Sequence, residues 1–277
     1  MRAKSVHSML YNVLLLLVSV TVASCASVGN TQKNDIPEEK SVESEIKEAV
    51  HNYIEGWYDK DGARMGRSIH PRLAKRSPDA SSSNGVHLVD KAGLMGVIEQ
   101  FGGDKGLGRT VDITVFEINN NLATVKAVSN EYSDYIHLAF TGGSWQIVNV
   151  LWEFRNKEAL RLDEETVSAL QKPVLDYVEG WYDKDVERVK GGLHPNLAKR
   201  NLDENGEIAE YTRQSLLDAV SVYGGGSDTA RKFEFTVFDA GKDIASVKLV
   251  TDGDTDYMHL IKWKGQWYVL NELWFLH

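Results

Sequence analysis

Cysteine is almost missing from this chain. The single one among 277 residues, Cys25, excludes an internal disulfide framework and a thiolate metal cluster. Positive charge is also in short supply, with 31 Lys+Arg against 40 Asp+Glu and a net charge of −9. Nucleic-acid binding needs clustered basic side chains to displace counterions, so no nucleic-acid partner is expected. No apolar run reaches the about 20 residues that cross ~30 Å of hydrocarbon. No HExxH or paired-histidine spacing occurs, so neither a metal site nor a resident cofactor is expected. Nothing has the form of a phosphate loop, a serine nucleophile elbow or a dinucleotide fingerprint, and Gly224-Gly225-Gly226 lacks the lysine and preceding strand of such loops. What is present is ordinary. With 42% hydrophobic and 26% charged residues, disorder, coiled coil and collagen drop out. The length suits about two domains of ~100–150 residues.

The beginning of the chain reads as an export signal over residues 1–24. Arg2 and Lys4 precede an apolar stretch from Val13 to Ala23, too short to span a bilayer. It ends in Val22-Ala23-Ser24-Cys25, which resembles the lipobox of bacterial lipoproteins. That resemblance implies cleavage before Cys25, lipidation of its thiol and anchorage by several acyl chains, which exceeds the two-signal threshold for lasting membrane attachment. The alternative is ordinary cleavage after Ser24. Ala26 after the cysteine resembles an outer-membrane address facing the periplasm, if the cell is Gram-negative. Residues 25–40 are polar without apolar period and read as a flexible tether.

The remainder is one unit written twice. Glu55-Gly56-Trp57-Tyr58-Asp59-Lys60-Asp61 returns 124 residues later as Glu179-Gly180-Trp181-Tyr182-Asp183-Lys184-Asp185. His70-Pro71 and Leu73-Ala74-Lys75-Arg76 return as His194-Pro195 and Leu197-Ala198-Lys199-Arg200. Asp134-Tyr135-Ile136-His137-Leu138 returns 122 residues later as Asp256-Tyr257-Met258-His259-Leu260. Trp145, Asn149, Leu151 and Trp152 match Trp267, Asn271, Leu273 and Trp274. So long a period is a duplicated domain, over residues 41–154 and 163–277.

In each copy helices come first and strands last. Ile46, Ala49, Val50, Tyr53, Ile54 and Trp57 form one apolar stripe at helical spacing, as do Leu170, Val174, Tyr177, Val178 and Trp181. Pro173 lies in the second stripe, so that helix either starts near it or kinks there. Asp61 and Asp185 read as N-caps of a short second helix ending before His-Pro. There, His70 and His194 either close the pocket mouth or, the favoured reading, satisfy carbonyls at the helix end. A third helix is predicted over 88–101 and 211–223. Strands are predicted over 109–119, 122–130, 133–141 and 144–154, with hairpin chemistry at Asn119-Asn120-Asn121 and Thr141-Gly142-Gly143. The fold class is α+β, each domain an antiparallel meander with three helices on one face.

These residues resemble the nuclear transport factor 2-like family, specifically its lumazine-binding branch. The resemblance rests on Tyr-x-Glu-Gly-Trp-Tyr-x-x-Asp (Tyr53 to Asp61, Tyr177 to Asp185), the following His-Pro, the Asp-Tyr-x-x-Leu strand and the closing Gly-x-Trp-x-Ile/Val-x-Asn strand. It implies two cone-shaped domains, each with three N-terminal helices on a curved antiparallel sheet. It also implies a conical pocket between sheet and helices, and pairing of the two domains.

Strand alternation puts His137 and His259 opposite Asp134/Ile136/Leu138 and Asp256/Met258/Leu260, with Tyr135 and Tyr257 beside them. Tyr and His side by side can hold a ligand carbonyl or supply a general acid; otherwise they edge an exposed face or pack between the copies. Asp134 and Asp256 sit among apolar neighbours, as general bases tuned by burial or as strand-start turn residues. Asn149 and Asn271 share a predicted face with Trp145/Ile147/Leu151 and Trp267/Val269/Leu273. An amide there must bond to backbone or ligand. Tyr58 and Tyr182 either build the helix–sheet core or face a ligand. The leading expectation is an envelope lipoprotein that binds a small, partly apolar molecule or a partner without catalysis. The alternatives are a cofactor-independent isomerase, dehydratase or hydrolase using Asp134 with His137 and Asp256 with His259, and a structural scaffold. The enzyme requires Asp134 and His137 in one cavity. A binder requires an enclosed apolar pocket of ~300 Å³ or more. A scaffold requires both cones to be filled by their own side chains.

Overall fold

The Glu-Gly-Trp-Tyr-Asp-Lys-Asp motif encodes a helix, a tight reversal and a second helix. Helix α1 (Val42–Asp59) starts at Ser41, whose side chain accepts the Ser44 N–H, and stops at Lys60 in a left-handed conformation. Asp61 then caps α2 (Gly62–Arg67) by accepting the Arg64 N–H. The second copy does the same with α4 (Glu164–Asp183), Lys184, Asp185 and α5 (Val186–Gly192). The predicted N-caps therefore act as such. Pro173 neither starts nor ends α4, which begins at the Asp163 cap and runs through it. The computed structural model describes residues 40–155, 160–226 and 231–277. The expected signal, Cys25 and the tether as far as residue 39 lie outside them.

The motif glycine is a packing requirement. A Cβ on Gly56 would lie 2.7 Å from the Met65 backbone nitrogen, and one on Gly180 2.9 Å from that of Val189, so each first helix touches the backbone of the next. Gly56→Ala is expected to cost about 1–3 kcal/mol of unfolding free energy through overpacking. Gly96 has open space around its missing Cβ, so Gly96→Ala should stabilise instead, by about 0.5–1 kcal/mol from helix propensity. Urea unfolding of both variants checks the opposite signs.

Each half then forms a six-stranded sheet. The first is built from β1 (Ile69–Pro78), β2 (Val86–Val89), β3 (Val111–Asn119), β4 (Leu122–Ser129), β5 (Tyr132–Thr141) and β6 (Ser144–Phe154), in the order β2-β1-β6-β5-β4-β3. Helix α3 (Lys91–Phe101) intervenes between β2 and β3. The second repeats this order with β7 (Leu193–Leu202), β8 (Ile208–Thr212), β9 (Phe233–Ala240), β10 (Ile244–Thr251), β11 (Asp254–Trp263) and β12 (Gln266–Leu276), with α6 (Arg213–Tyr223) as third helix. The four predicted strands of the first copy are present. Two more precede them, and β1 and β7 pair parallel to β6 and β12, so the sheet is mixed rather than wholly antiparallel. The third helices start later than predicted because Leu88 and Tyr211 lie on the added strands β2 and β8. Pro71 is tolerated because the β1–β6 register is broken between Ile69 and Ala74. His70 and His194 likewise sit at strand starts rather than helix ends, each accepting a backbone N–H two residues on, from Arg72 and Asn196.

One face of each sheet carries the helices, with Ile46, Val50, Ile136 and Leu138 in one core and Leu170, Val174, Met258 and Leu260 in the other. The other faces bury mixed clusters drawn from both halves. Tyr135, Leu151 and Val86 pack with Ile244, Ile261 and Leu270, and Tyr257, Leu273 and Ile208 pack with Leu122, Ala139 and Val148. Equivalent residues swap places between these clusters, as a two-fold relation demands. Phe116 and Phe238 are each left unpaired by a bulge, and they stack on each other at 5.0 Å.

Candidate functional site

Strands β1 and β7 deliver a lysine into each cone. In the first, the Lys75 ammonium donates to the Tyr53 hydroxyl at 2.6 Å and to Asp134 Oδ1 at 3.4 Å, above the Trp152 ring. Burial dominates both charges, pushing the lysine pKa down and the Asp134 pKa up, while their mutual attraction opposes both shifts. In the second cone, Lys199 donates to the Tyr177 hydroxyl at 3.1 Å, to Asp256 Oδ1 at 3.2 Å and to Glu272 Oε1, with Trp274 4.5 Å below. Burial, helped by nearby Asp254, pushes Asp256 up to about 6 against the pull of Lys199.

The two cones differ in space. The first divides its space, with an inner cavity of about 90 Å³ among Tyr53, Trp57, Tyr58, Lys75, Asp134 and Trp152 and a groove of about 890 Å³ that shares Trp57, Lys75, Leu94, Tyr132 and Trp152 with it. The second leaves about 560 Å³, bounded by Tyr177, Trp181, Tyr182, Tyr211 and Trp274, with Lys199, Asp254 and Asp256 among its polar groups. One changed position lies at the inner end of both cavities. Tyr132 lines the first cone, its ring 5.2 Å from Trp152 and 5.5 Å from Phe154, whereas the equivalent residue of the second cone is Asp254. A second position changes the charge, since Glu272 replaces Val150.

The structure sorts the sequence-predicted residues into two places. Tyr58 and Asp134 line the first cavity, and Tyr182 and Asp256 the second. Tyr135, His137, Asn149 and their counterparts Tyr257, His259 and Asn271 lie instead on the helix-free faces, buried between the two sheets. The proposed acid–base pairs therefore do not form. Asp134 and His137 are three residues apart on one strand and point to opposite sides of the sheet, as Asp256 and His259 do.

Asn149 and Asn271 are not on the Trp145/Ile147 and Trp267/Val269 faces. Bulges in β6 and β12 at Val148 and Leu270 break the alternation and turn both amides toward the other half. There Asn149 donates to the Glu272 carbonyl and Asn271 to the Val150 carbonyl, each also within 3.3 Å of its own histidine's Nδ1. The two imidazoles stack at 3.6 Å. Their Nε2 atoms have no hydrogen-bond partner among the described residues. Flanking them, Tyr135 and Lys126 donate to Asp239, and Tyr257 and Lys248 donate to Glu117, two reciprocal networks across the seam.

Sequence reasoning missed Lys75, Lys199, Tyr53, Tyr177 and Glu272 as site residues. The available signal was the doubled Leu-Ala-Lys-Arg, a buried-strand register written in charged letters.

Architecture and cavities together define tandem α+β cone domains of the nuclear transport factor 2-like kind. The family described as "Putative lumazine-binding" matches residues 41–153 and 165–275, and the chain belongs to it. Among solved structures, an NTF2-like protein of unknown function from Shewanella baltica is 18% identical, with 43% of this chain and 98% of that one covered and a TM-score of 0.38. A ketosteroid isomerase-like protein from Erwinia carotovora atroseptica is 16% identical, covering 41% and 95%, with a TM-score of 0.33. An NTF2-like protein from Cytophaga hutchinsonii is 10% identical, covering 42% and 100%, with a TM-score of 0.34. No curated protein matches the chain.

Proposed function

We propose that this protein is a binder of a small, partly apolar molecule, held in the second cone, and that the first cone is a divided counterpart whose inner cavity is too small for it. The observation that carries this reading is the cavity of about 560 Å³ walled by five aromatic rings and continuous as far as Asp256, where the first copy leaves only about 90 Å³ beside Asp134 and a separate groove along Val89 and Phe154. A cavity of some hundreds of cubic ångströms with a few convergent polar groups is the usual form of a small-molecule site. The two domains act as a fixed pair, supported by the aromatic and hydrogen-bonded contacts that run across their helix-free faces. Lipid anchorage at Cys25 and residence in the cell envelope belong to the same proposal, supported by the apolar signal stretch and the lipobox-like Val22-Ala23-Ser24-Cys25. In cells, Cys25→Ser should release the protein from the membrane fraction, and the intact wild-type N-terminus should carry acyl mass.

The binding reading is tested on the purified full chain by titrating the neutral fluorophore N-phenyl-1-naphthylamine. One saturable equivalent is expected. Asp254→Tyr, which installs the residue of the first cone, should abolish it, and Tyr132→Asp should add a second equivalent. Absence of saturable binding to the wild type, or binding unchanged by Asp254→Tyr, overturns the reading.

A further inference from the structure

The two cones are copies of one pocket that keep Tyr53/Tyr177, Trp57/Trp181, Tyr58/Tyr182, Lys75/Lys199, Asp134/Asp256 and Trp152/Trp274, so each serves as the other's reference. The first cone sets one carboxylate, Asp134, against one ammonium, Lys75. The second keeps both as Asp256 and Lys199 and adds two more carboxylates, Asp254 where the first has Tyr132 and Glu272 where it has Val150. The Lys199 charge is consumed by its contacts with Asp256 and Glu272. With all groups ionised, Asp254 and Asp256 on the cavity wall and the buried Glu272 that Lys199 contacts set three negative charges against one positive. Glu272 is fully buried, and its Oε2 has no hydrogen-bond partner among the described residues.

The change that removes the Tyr132 ring thus opens volume and brings negative charge in the same step. The walls match that charge. Tyr177, Trp181, Tyr182, Tyr211 and Trp274 offer aromatic faces, and Trp274 already holds the Lys199 ammonium 4.5 Å from its ring. Aromatic faces attract cations through their ring quadrupoles, most strongly where water is excluded, and aromatic cages are a recurrent way to hold organic ammonium groups. An anionic ligand would meet Asp254 and Asp256 with no free cation among the described lining residues to receive it, since Lys199, the one lysine among them, is already paired.

We propose that the second cone selects an organic cation, an amine or quaternary ammonium group borne on an apolar or aromatic body, with Asp254 and the Asp256–Glu272 pair supplying the counter-charge. This rests on the second cone being a ligand site. The raised pKa of Asp256, pushed up first by burial and then by Asp254, fits it, because a cation bound beside the carboxylate favours its ionised form.

The test compares benzyltrimethylammonium with its uncharged isostere neopentylbenzene and with phenylacetate, by tryptophan fluorescence on the full chain at pH 8. Benzyltrimethylammonium is expected to bind at least about tenfold more tightly than neopentylbenzene, with phenylacetate weakest. Asp254→Asn and Glu272→Gln should each reduce the ratio of cation to neutral affinity several-fold, and the cation affinity of the wild type should fall as the pH drops below 6. Equal affinity for the cation and its isostere, or tighter binding of phenylacetate, overturns the proposal. If N-phenyl-1-naphthylamine still binds once under those outcomes, the cavity survives as a ligand site and only its charge preference fails. If none of the four compounds binds, both fail.

Discussion

Acidification from pH 7 to pH 4 is expected to remove several kcal/mol of stability, with the loss originating at the seam between the sheets. His137 and His259 are wholly buried and stacked, and desolvation holds His137 down at about 3, with the Arg200 charge adding to it. His259 is held well below its ordinary value by burial and by His137 itself. A base with a depressed folded-state pKa contributes stability that is fully present above its unfolded value near 6.5 and is lost as the pH falls toward the folded value. At pH 4 the His137 contribution alone is about 3 kcal/mol, a large share of the roughly 5–15 kcal/mol of a typical domain. His194, lowered to about 4 by burial, works in the same direction. Asp134 and Asp256 oppose it, because their raised values favour the folded state as they take up protons below pH 6. The Asp256 gain is about 2 kcal/mol, less than the histidines lose together. Urea midpoints at pH 7, 5 and 4 measure the net effect. The double variant His137→Phe with His259→Phe keeps two stacked rings without a titrating nitrogen, and its acid loss should be at most about half that of the wild type. An unchanged acid loss in that variant would show the seam is not the source.

Lys199→Met should be the most damaging single change in the second cone. It leaves Asp256 and Glu272, both essentially without solvent contact, without their cation. Removing one partner of a buried ion pair costs about 3–5 kcal/mol, because the remaining charge stays desolvated. Lys75→Met should cost less, since it strands one carboxylate, Asp134, where Lys199→Met strands two. The pH dependence has a definite sign. An acid whose folded value lies above its unfolded one favours the fold at low pH, and that contribution is lost as the pH rises through the interval between the two, for Asp256 from about 4 to about 6. Without Lys199 that folded value climbs further, so the deficit relative to wild type should be largest at pH 8 and shrink toward pH 5. Adding Glu272→Val to Lys199→Met should recover part of the loss by removing one stranded charge. A deficit independent of pH and unrelieved by Glu272→Val would mean that lost packing, rather than stranded charge, is the cause.

Much of this arrangement is legible in the sequence, for physical reasons that also mark where reading fails. The α1 and α4 stripes and the Asp61 and Asp185 caps are written in unbroken patterns, and the last four strands of the first copy in alternation interrupted by bulges at Phe116 and Val148. The opposite facing of Asp134 and His137 follows from the same two-residue period. Strands β1 and β7 do not follow it visibly, since they open with His-Pro and place Lys75 and Lys199 at buried positions where the partners come from distant helices and strands. A charged residue whose burial is justified by a residue 59 positions away, as Lys75 is by Asp134, looks like a loop residue from its neighbours alone. The bulges at Val148 and Leu270 fail differently. One extra residue turns Asn149 and Asn271 to the opposite face without altering composition, so a reader counting by twos assigns them to the wrong side.

Carrying both halves on a single polypeptide has a consequence for how such a pocket can change. In an assembly of two identical subunits, any mutation appears twice, and a substitution that empties one cone empties both. Here Tyr132 and Asp254 are encoded separately, as are Val150 and Glu272. One half can keep an aromatic ring beside its buried ion pair, while the other gives up that packing for room and charge.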